Sequence, residues 1–192
     1  MSWRAVFNNL RRRWLRLHGF RVVFGERSQG RWLPHTRISP STCIEHEDRL
    51  VLADHVFIGH FNFLEASGGI RIEEGVQITS HCVLVTHSAH RSQRLMGRRY
   101  VEAGERPGWI AGPIVIGAYS FIGPHSVIEA NTRLGKGCVV RAGSVVRGEF
   151  PDFSLIEGRP ARVVGDVREI DQALLQRHPE WRSAYEAWAG PR

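Results

Sequence analysis

The chain has 192 residues with 26 Lys or Arg and 19 Asp or Glu, which gives a formal net charge of +7. A hydrophobic fraction of 42% and a charged fraction of 23% exclude a disordered or collagen-like chain and indicate a globular core. No apolar run is long enough to cross a bilayer and the N-terminus lacks a secretory signal pattern, so we expect a cytoplasmic protein. The three cysteines form no CxxC pair, and we expect Cys43, Cys82 and Cys138 to be small buried residues.

Residues 1–40 are predicted to form a basic helical arm. Nine Arg and one acidic residue occur up to Arg37, but no known nucleic-acid-binding motif accompanies them, so we expect no nucleic-acid partner. Residues 2–18 have the spacing of an amphipathic helix with a basic polar face. Its apolar stripe consists of Trp3, Phe7, Leu10, Trp14 and Leu17. Two interpretations remain open: peripheral contact with the inner face of a membrane, or docking against the rest of the chain or a second copy of it.

A six-residue period follows the arm in two blocks. The aliphatic positions of the upstream block are Leu52, Ile58, Leu64, Ile72, Ile78 and Leu84, with one two-residue slip. Those of the downstream block are Ile116, Ile122, Ile128, Leu134, Val140 and Val146. Small residues follow four positions later at Ser120, Ser126, Thr132, Cys138 and Ser144. This period fits a prism of short strands and tight turns better than a helix or a β-sandwich.

Three sides of such a prism make one coil, and stacked coils bury a continuous aliphatic column. We expect each aliphatic side chain to point inward and each small residue to fill a tight corner. Glycine follows the aliphatic residue at Gly117, Gly123 and Gly135, where we expect it to tolerate a positive φ in the turn.

The stretch from Ile116 to Val164, with its AGSVV and GRPARVV segments, resembles the closing coils of the hexapeptide-repeat acyltransferases, in particular the maltose/galactoside and polysaccharide O-acetyltransferase branch. The resemblance covers roughly residues 50–165 and implies an all-β, left-handed parallel β-helix, which we assign to residues 41–165. It further implies acetyl-CoA as co-substrate, no metal, and a homotrimer with the site between neighbouring prisms.

The hexad stops after Leu84 and resumes at Ile114, which predicts an extruded loop at residues 87–113. Two histidines stand at the root of this loop, where the resembling family has its general base. We predict His90 as the base and His87 as a residue that lines the pocket or orients the base. No Ser or Cys nucleophile is required, because a thioester is already activated.

The resemblance also suggests binding residues. Four residues match family positions near coenzyme A, namely an aromatic, a small residue and two Arg: Phe121, Ala142, Arg147 and Arg162. Three residues lie near the family's acceptor positions and are predicted to bind the substrate: His60, Asn62 and Glu65. Asn62 also occupies a corner slot of the hexad, and a hydrogen-bonded ladder inside the coil is the alternative for it.

Residues 166–192 are predicted to form a helical cap over the open end, with a helix from Val167 to Ala189 that is interrupted near Pro179. The function expected from this sequence is acetyl transfer from acetyl-CoA to a sugar hydroxyl of a polysaccharide or lipopolysaccharide precursor. An amino-sugar N-acetyltransferase is the nearest alternative. A γ-carbonic-anhydrase-like hydratase, suggested by Ile58-Gly59-His60, and a non-catalytic trimeric scaffold remain as further alternatives.

Overall fold

The computed structural model describes residues 3–190, so that Ser2 of the predicted first helix and residues 191–192 of the predicted cap lie outside the described residues. The helices are α1 (Trp3–His18), α2 (His90–Met96), α3 (Val167–Arg177) and α4 (Arg182–Ala189), with 3-10 turns at Glu47–Arg49, Gly97–Tyr100 and Pro179–Trp181. None of the helices in the described part of the chain is long and apolar enough to span a membrane.

Within residues 3–190, the chain also forms twenty-one short strands. In chain order they are β1 (Glu26–Ser28), β2 (Arg31–Leu33), β3 (Arg37–Ile38), β4 (Cys43–Glu45), β5 (Leu50–Leu52), β6 (Phe57–Ile58), β7 (Phe63–Glu65), β8 (Ile70–Ile72), β9 (Gln77–Ile78), β10 (Val83–Val85), β11 (His87–Ser88), β12 (Ile110–Ala111), β13 (Ile114–Ile116), β14 (Phe121–Ile122), β15 (Val127–Ile128), β16 (Thr132–Leu134), β17 (Val139–Val140), β18 (Val145–Val146), β19 (Glu149–Phe150), β20 (Ser154–Gly158) and β21 (Ala161–Asp166).

Most strands belong to three parallel sheets that the chain visits in turn. The first sheet has the order β3-β6-β9-β14-β17-β20, the second β4-β7-β10-β15-β18 and the third β5-β8-β13-β16-β19. Each circuit of the three sheets is one coil of a triangular prism, and β21 covers the edge of the first sheet by pairing antiparallel with β20. The predicted parallel β-helix is therefore present. Its first parallel strand, β3, begins at Arg37, four residues before the predicted boundary at residue 41.

The aliphatic residues of the hexads form the core, as predicted. Ile58, Leu64, Ile78, Leu84 and Ile116 are all fully buried, and their equivalents in later coils continue the same columns. The small residues four positions later in the downstream block are at most 1% exposed, so they lie inside the corners as predicted. One expectation is wrong: Cys82 and Cys138 are buried, but Cys43 is exposed, since it occupies an outward position of β4.

The role predicted for the glycines is also corrected. Gly117, Gly123 and Gly135 do not adopt a positive φ, which instead falls on later turn residues such as Tyr119 and His125. Glycine is needed for a different reason, the close approach of the next coil. A Cβ at Gly117 would lie 2.5 Å from the carbonyl carbon of Gly135, a backbone atom that cannot move away.

The helices at the two ends differ in how they pack. Trp188 of α4 stacks on Tyr119, with ring centroids 4.6 Å apart, and also contacts Phe153. The C-terminal helices therefore lie against one corner of the prism, and this helical region has the predicted interruption at Pro179. In contrast, α1 has no buried residue, so docking of this helix on its own β-helix, one of the predicted alternatives, does not occur.

We predict that Gly117→Ala lowers the free energy of unfolding by about 1–3 kcal/mol, because the added methyl group overpacks against the next coil. Urea unfolding followed by circular dichroism measures this change. Gly104→Ala is the matched control, since a Cβ at Gly104 meets no atom within 4 Å. Equal stability of the two variants would contradict the proposed role of Gly117.

Candidate active site

The extruded loop leaves the prism at the corner between the second and third sheets. Immediately after β10, β11 pairs antiparallel with β12, so that His87 lies opposite Ala111. The Gly112 amide donates to the Thr86 carbonyl at 3.0 Å, which returns the chain to the position from which it left. The loop therefore has a short stem, and α2 and a 3-10 turn fill its distal part.

A buried carboxylate lies beneath this stem. Glu65 ends β7, one coil below Val85, and is only 3% exposed. Its Oε1 accepts from the Ser67 amide at 2.8 Å, and its Oε2 accepts from the Thr86 amide at 3.1 Å and the Thr86 hydroxyl at 2.7 Å. Burial alone would raise the pKa of Glu65, but hydrogen bonds from Ser67, Thr86 and His87 outweigh it and lower the pKa to about 2. Glu65 is therefore an anion at neutral pH.

His87 is held by this anion. Its Nδ1 lies 2.8 Å from Glu65 Oε2 and 3.1 Å from Ser67 Oγ. A carboxylate accepts only, so Nδ1 carries the proton, and Nε2 is left with a free lone pair. The imidazole also stacks on Trp109, with ring centroids 4.8 Å apart and planes inclined by 6°. Hydrogen bonding and stacking together fix both the tautomer and the orientation of the ring.

Trp109 is itself positioned by the distal part of the loop. The Arg106 guanidinium lies over the Trp109 ring at 5.7 Å and over Tyr100 at 4.7 Å. Ser92 of α2 is fully buried and donates to the carbonyl of Pro107 at 2.7 Å. The loop is therefore folded against His87.

The stem opens into a pocket of about 210 Å³. Its lining consists of Val85, His87, Ser88, His90, Ile110, Glu129, Ala130 and Arg147. Both predicted histidines thus reach one cavity, but their surroundings differ. His90 is exposed, and its Nδ1 has the Ser88 hydroxyl as partner at 2.7 Å rather than a carboxylate. The assignment of His90 as base stays a prediction, and the geometry favours His87 for that role.

Of the residues predicted to bind coenzyme A, Arg147 alone lines this pocket. Ala142 is exposed at the other end of β18, in the turn between the first and second sheets. Phe121 faces outward on the first sheet, 36% exposed, and Arg162 is exposed on β21. Within one chain, the structure does not gather these four residues into a single site.

The substrate-binding predictions for Asn62 and Glu65 are corrected. Asn62 is 2% exposed and forms the alternative ladder: its amide group donates to the carbonyls of Gly59 and Thr79, and its oxygen accepts from the Cys82 amide. Glu65 faces inward and holds His87 instead of facing the pocket. His60 lies at a different corner, where its Nδ1 is 2.6 Å from the Ser39 hydroxyl.

The roles of Glu65 and Thr86 in holding His87 were not foreseen from the sequence. A signal was available in the length of the coil. Twenty residues separate paired positions such as Glu65 and Val85, so counting one coil forward from Glu65 reaches the residues at the root of the loop. Ser67, two residues after Glu65, comes beside His87 for the same reason.

A second polar cluster occupies another corner. His35, Asp54 and His55 have ligand atoms within 4.8 Å of one another, and His35 Nδ1 lies 3.0 Å from Asp54 Oδ2. The two imidazoles stack at 4.4 Å with planes inclined by 4°. An ion bound in the plane of one ring cannot lie in the plane of the other, so this arrangement is not a preformed metal site. The prediction that the protein binds no metal stays a prediction.

Known proteins share the sequence pattern and the fold. Residues 113–148 match the family model described as "Bacterial transferase hexapeptide (six repeats)". The chain is 31% identical over 135 residues to a Mycobacterium tuberculosis protein named a probable acetyltransferase, a match that covers 70% of this chain and 42% of that protein. The chain thus spans less than half the length of this relative.

Two solved structures extend the comparison. The hexapeptide-repeat acetyltransferase of Vibrio cholerae has a TM-score of 0.59 and 28% identity, covering 68% of this chain and 69% of that one, and it has also been solved with acetyl-CoA. A galactoside acetyltransferase in complex with coenzyme A has a TM-score of 0.57 and 20% identity, covering 70% and 63%. The predicted left-handed parallel β-helix is confirmed.

The depressed pKa of Glu65 predicts a pH-dependent stability. Because the pKa in the folded protein lies below the ordinary 4.5, ionised Glu65 stabilises the fold above about pH 4.5, and this contribution is lost as the pH falls towards 2. Glu65→Gln should lower the free energy of unfolding by about 3 kcal/mol at pH 7 and by much less at pH 3. Urea unfolding at both pH values measures the difference.

Glu45→Gln is the matched control, because Glu45 is paired with Glu65 in the ladder one coil earlier but is exposed. We expect it to change stability by less than about 0.5 kcal/mol. A loss for Glu65→Gln that is the same at pH 7 and pH 3 would show that the charge of Glu65 does not stabilise the fold.

Proposed function

Because this chain has the repeats and the fold of the hexapeptide-repeat acetyltransferase family, we propose that it transfers an acetyl group from acetyl-CoA to a sugar hydroxyl of a polysaccharide or lipopolysaccharide precursor. The observation that carries the proposal is the imidazole of His87, which is bonded through Nδ1 to a buried carboxylate and lines a pocket at the root of the loop. The acetyl-CoA complex of the Vibrio cholerae relative supports the choice of acyl donor.

In the proposed reaction, His87 acts as the general base. Its Nε2 takes the proton from the acceptor hydroxyl while the oxygen of that hydroxyl attacks the thioester carbonyl. The carbon–sulfur bond then breaks, and His87 returns the proton to the departing sulfur. Glu65 stabilises the imidazolium that exists between these two steps, because it remains an anion at 2.8 Å from Nδ1. Glu65 is thus a positioning residue and not a group that contacts the substrates.

The residues of the pocket fit a phosphate-bearing thioester on one side. Arg147 lies directly after β18, and within residues 3–190 its guanidinium has no ion pair, so it is available to a phosphate of coenzyme A. Ala142 precedes the same strand, where a small side chain leaves the backbone accessible to the pantetheine amides. Coenzyme A is larger than this pocket, so its outer part must extend over the surface, and Phe121 and Arg162 would contribute only where it reaches their faces.

The same base serves an amine acceptor, so amino-sugar N-acetylation is tested beside O-acetylation. The acceptor hydroxyl must reach Nε2 from the pocket side, where His90 and Glu129 supply further polar groups. This arrangement gives His90 a place at the rim, where it would contact the acceptor in place of the substrate-binding residues predicted from the sequence.

We further propose that the protein is a homotrimer with the site completed by a neighbouring chain. One row of outward positions on the second sheet is apolar from β7 to β18, because paired strands align Phe63, Val83, Val127 and Val145. The outer face of the third sheet carries Arg71, Val115, Arg133 and Glu149 in register instead. An apolar face beside the pocket is suited to contact with a second prism.

We predict that His87→Ala lowers kcat by roughly 10²–10⁴-fold, the usual contribution of a general base, while acetyl-CoA affinity changes little. Steady-state rates with a panel of sugar and amino-sugar acceptors, together with calorimetric titration of acetyl-CoA, measure both quantities. His90→Ala is the paired variant, and we expect it to affect KM more than kcat. If His90→Ala abolishes turnover and His87→Ala does not, the base is His90, as the sequence motif predicts. Absence of acetyl-CoA binding to the folded wild type would refute the proposed reaction.

We predict that Val127→Glu dissociates the trimer, because a carboxylate placed in the apolar face of the second sheet would be buried without a partner. Analytical ultracentrifugation measures the mass. Val115→Glu is the control, since this position also faces outward but lies between Arg71 and Arg133 on the third sheet. A wild-type chain that sediments as a monomer, or a trimer that survives Val127→Glu alone, would refute this interface.

A further inference from the structure

Helix α1 projects an apolar stripe that its own chain does not cover. Trp3, Phe7, Leu10, Trp14 and Leu17 are between 58% and 73% exposed. At 100° per residue these five side chains fall within an arc of about 80° of the helix. Such a stripe requires an apolar partner outside the chain, because water is a poor solvent for two tryptophans and a phenylalanine on one face.

The charges of α1 identify the partner. The helix contains Arg4, Arg11, Arg12, Arg13 and Arg16 and no acidic residue. Arg11 and Arg13 lie about 40° beyond the two edges of the apolar arc, so their guanidinium groups flank the stripe on both sides. Within residues 3–190, no Arg of α1 forms an ion pair. The helix therefore presents apolar side chains between unneutralised cations.

A groove at the C-terminal end of α1 repeats this combination. It has a volume of about 410 Å³ and is lined by Arg13, Arg16, Leu17, Phe20 and Arg21. Three guanidinium groups beside two apolar side chains match the chemistry of a phosphate headgroup attached to acyl chains. Phe20, two residues after the end of α1, also contacts Phe61 of the β-helix, with ring centroids 5.6 Å apart.

We propose that α1 binds the surface of an anionic phospholipid bilayer, with its apolar stripe in the headgroup–acyl boundary and lipid phosphates at Arg13, Arg16 and Arg21. Tryptophan and arginine are suited to this boundary, since one is an amphipathic ring and the other extends its charge to the phosphates. The α1 helix of a second copy fits less well as the partner, because each such helix carries five Arg and no acidic residue and the two would repel each other. The proposal does not depend on the reaction assigned above.

Co-sedimentation of the full chain with vesicles tests the proposal. We expect binding to vesicles that contain 30 mol% phosphatidylglycerol and weak binding to pure phosphatidylcholine vesicles. Binding to the anionic vesicles should be lost as NaCl is raised from 0.1 to 0.5 M, because salt screens the attraction between Arg and lipid phosphates. The triple variant Arg13→Gln, Arg16→Gln, Arg21→Gln should lower the partition coefficient roughly 100-fold. The double variant Phe7→Ser, Trp14→Ser should lower it at least about tenfold.

Matched variants in the extruded loop serve as controls. Arg94→Gln, Arg98→Gln, Arg99→Gln removes the same net charge from exposed positions, and Leu95→Ser, Val101→Ser removes side chains that are 74% and 78% exposed. Both should leave the partition coefficient within about twofold, since hydrophobic and electrostatic attraction act only at the bilayer surface. Circular dichroism confirms that every variant is folded.

Three results would overturn the proposal. The first is that the wild type does not bind anionic vesicles. The second is that the helix and loop variants lose binding equally, which would show that binding depends on net charge and not on α1. In the third, the variants of α1 lower the mass measured by ultracentrifugation while vesicle binding is unchanged, which would identify the stripe as a contact between chains.

Discussion

The parallel hydrogen-bond ladder is the constraint on which the rest of this structure depends. It places equivalent positions of successive coils directly above one another, about 4.8 Å apart. Val83, Val127 and Val145 illustrate the result, because each is paired with the next. Every side chain therefore has to suit its own coil and also the residues above and below it. Residues with no room for a side chain, such as Gly117, and residues that bond along the column, such as Asn62, follow from the same requirement.

The ladder also explains how a carboxylate can be buried at the base of the site. Glu65 is in register with Val85, so the chain directly after Val85 passes over the carboxylate. Thr86 then supplies an amide and a hydroxyl, and His87 supplies Nδ1. Burying an anion is costly unless donors surround it, and here the donors come from a neighbouring coil whose position is already fixed. The hydrogen bonds that orient His87 thus come from the prism, and Trp109 of the loop adds the stacking contact.

The repeating positions of the hexads were predicted correctly from the sequence. The predictions failed for features that the six-residue period alone does not determine. The hexads identify the core because the same side-chain requirement recurs at every coil. The exposure of Cys43 could have been predicted from strand parity, since Ile44 next to it points inward. Predicting the contact between Glu65 and His87 requires the number of residues in a coil as well as the six-residue period. The two residues are 22 positions apart and come together only because successive coils are stacked. The exposure of α1 depends on tertiary packing, which the amphipathic pattern does not predict.

Because β11 and β12 form an antiparallel stem, the length of the loop beyond them has little effect on the stability of the coils. With the stem formed, the distal segment is a closed hairpin loop, and doubling the length of such a loop costs only about 0.6 kcal/mol of closure entropy. The segment between His90 and Trp109 can therefore be lengthened, shortened or replaced while the ladder stays in register. A fold of this kind allows the loop to diverge among related chains at little cost in stability, while His87 keeps its hydrogen bond to Glu65.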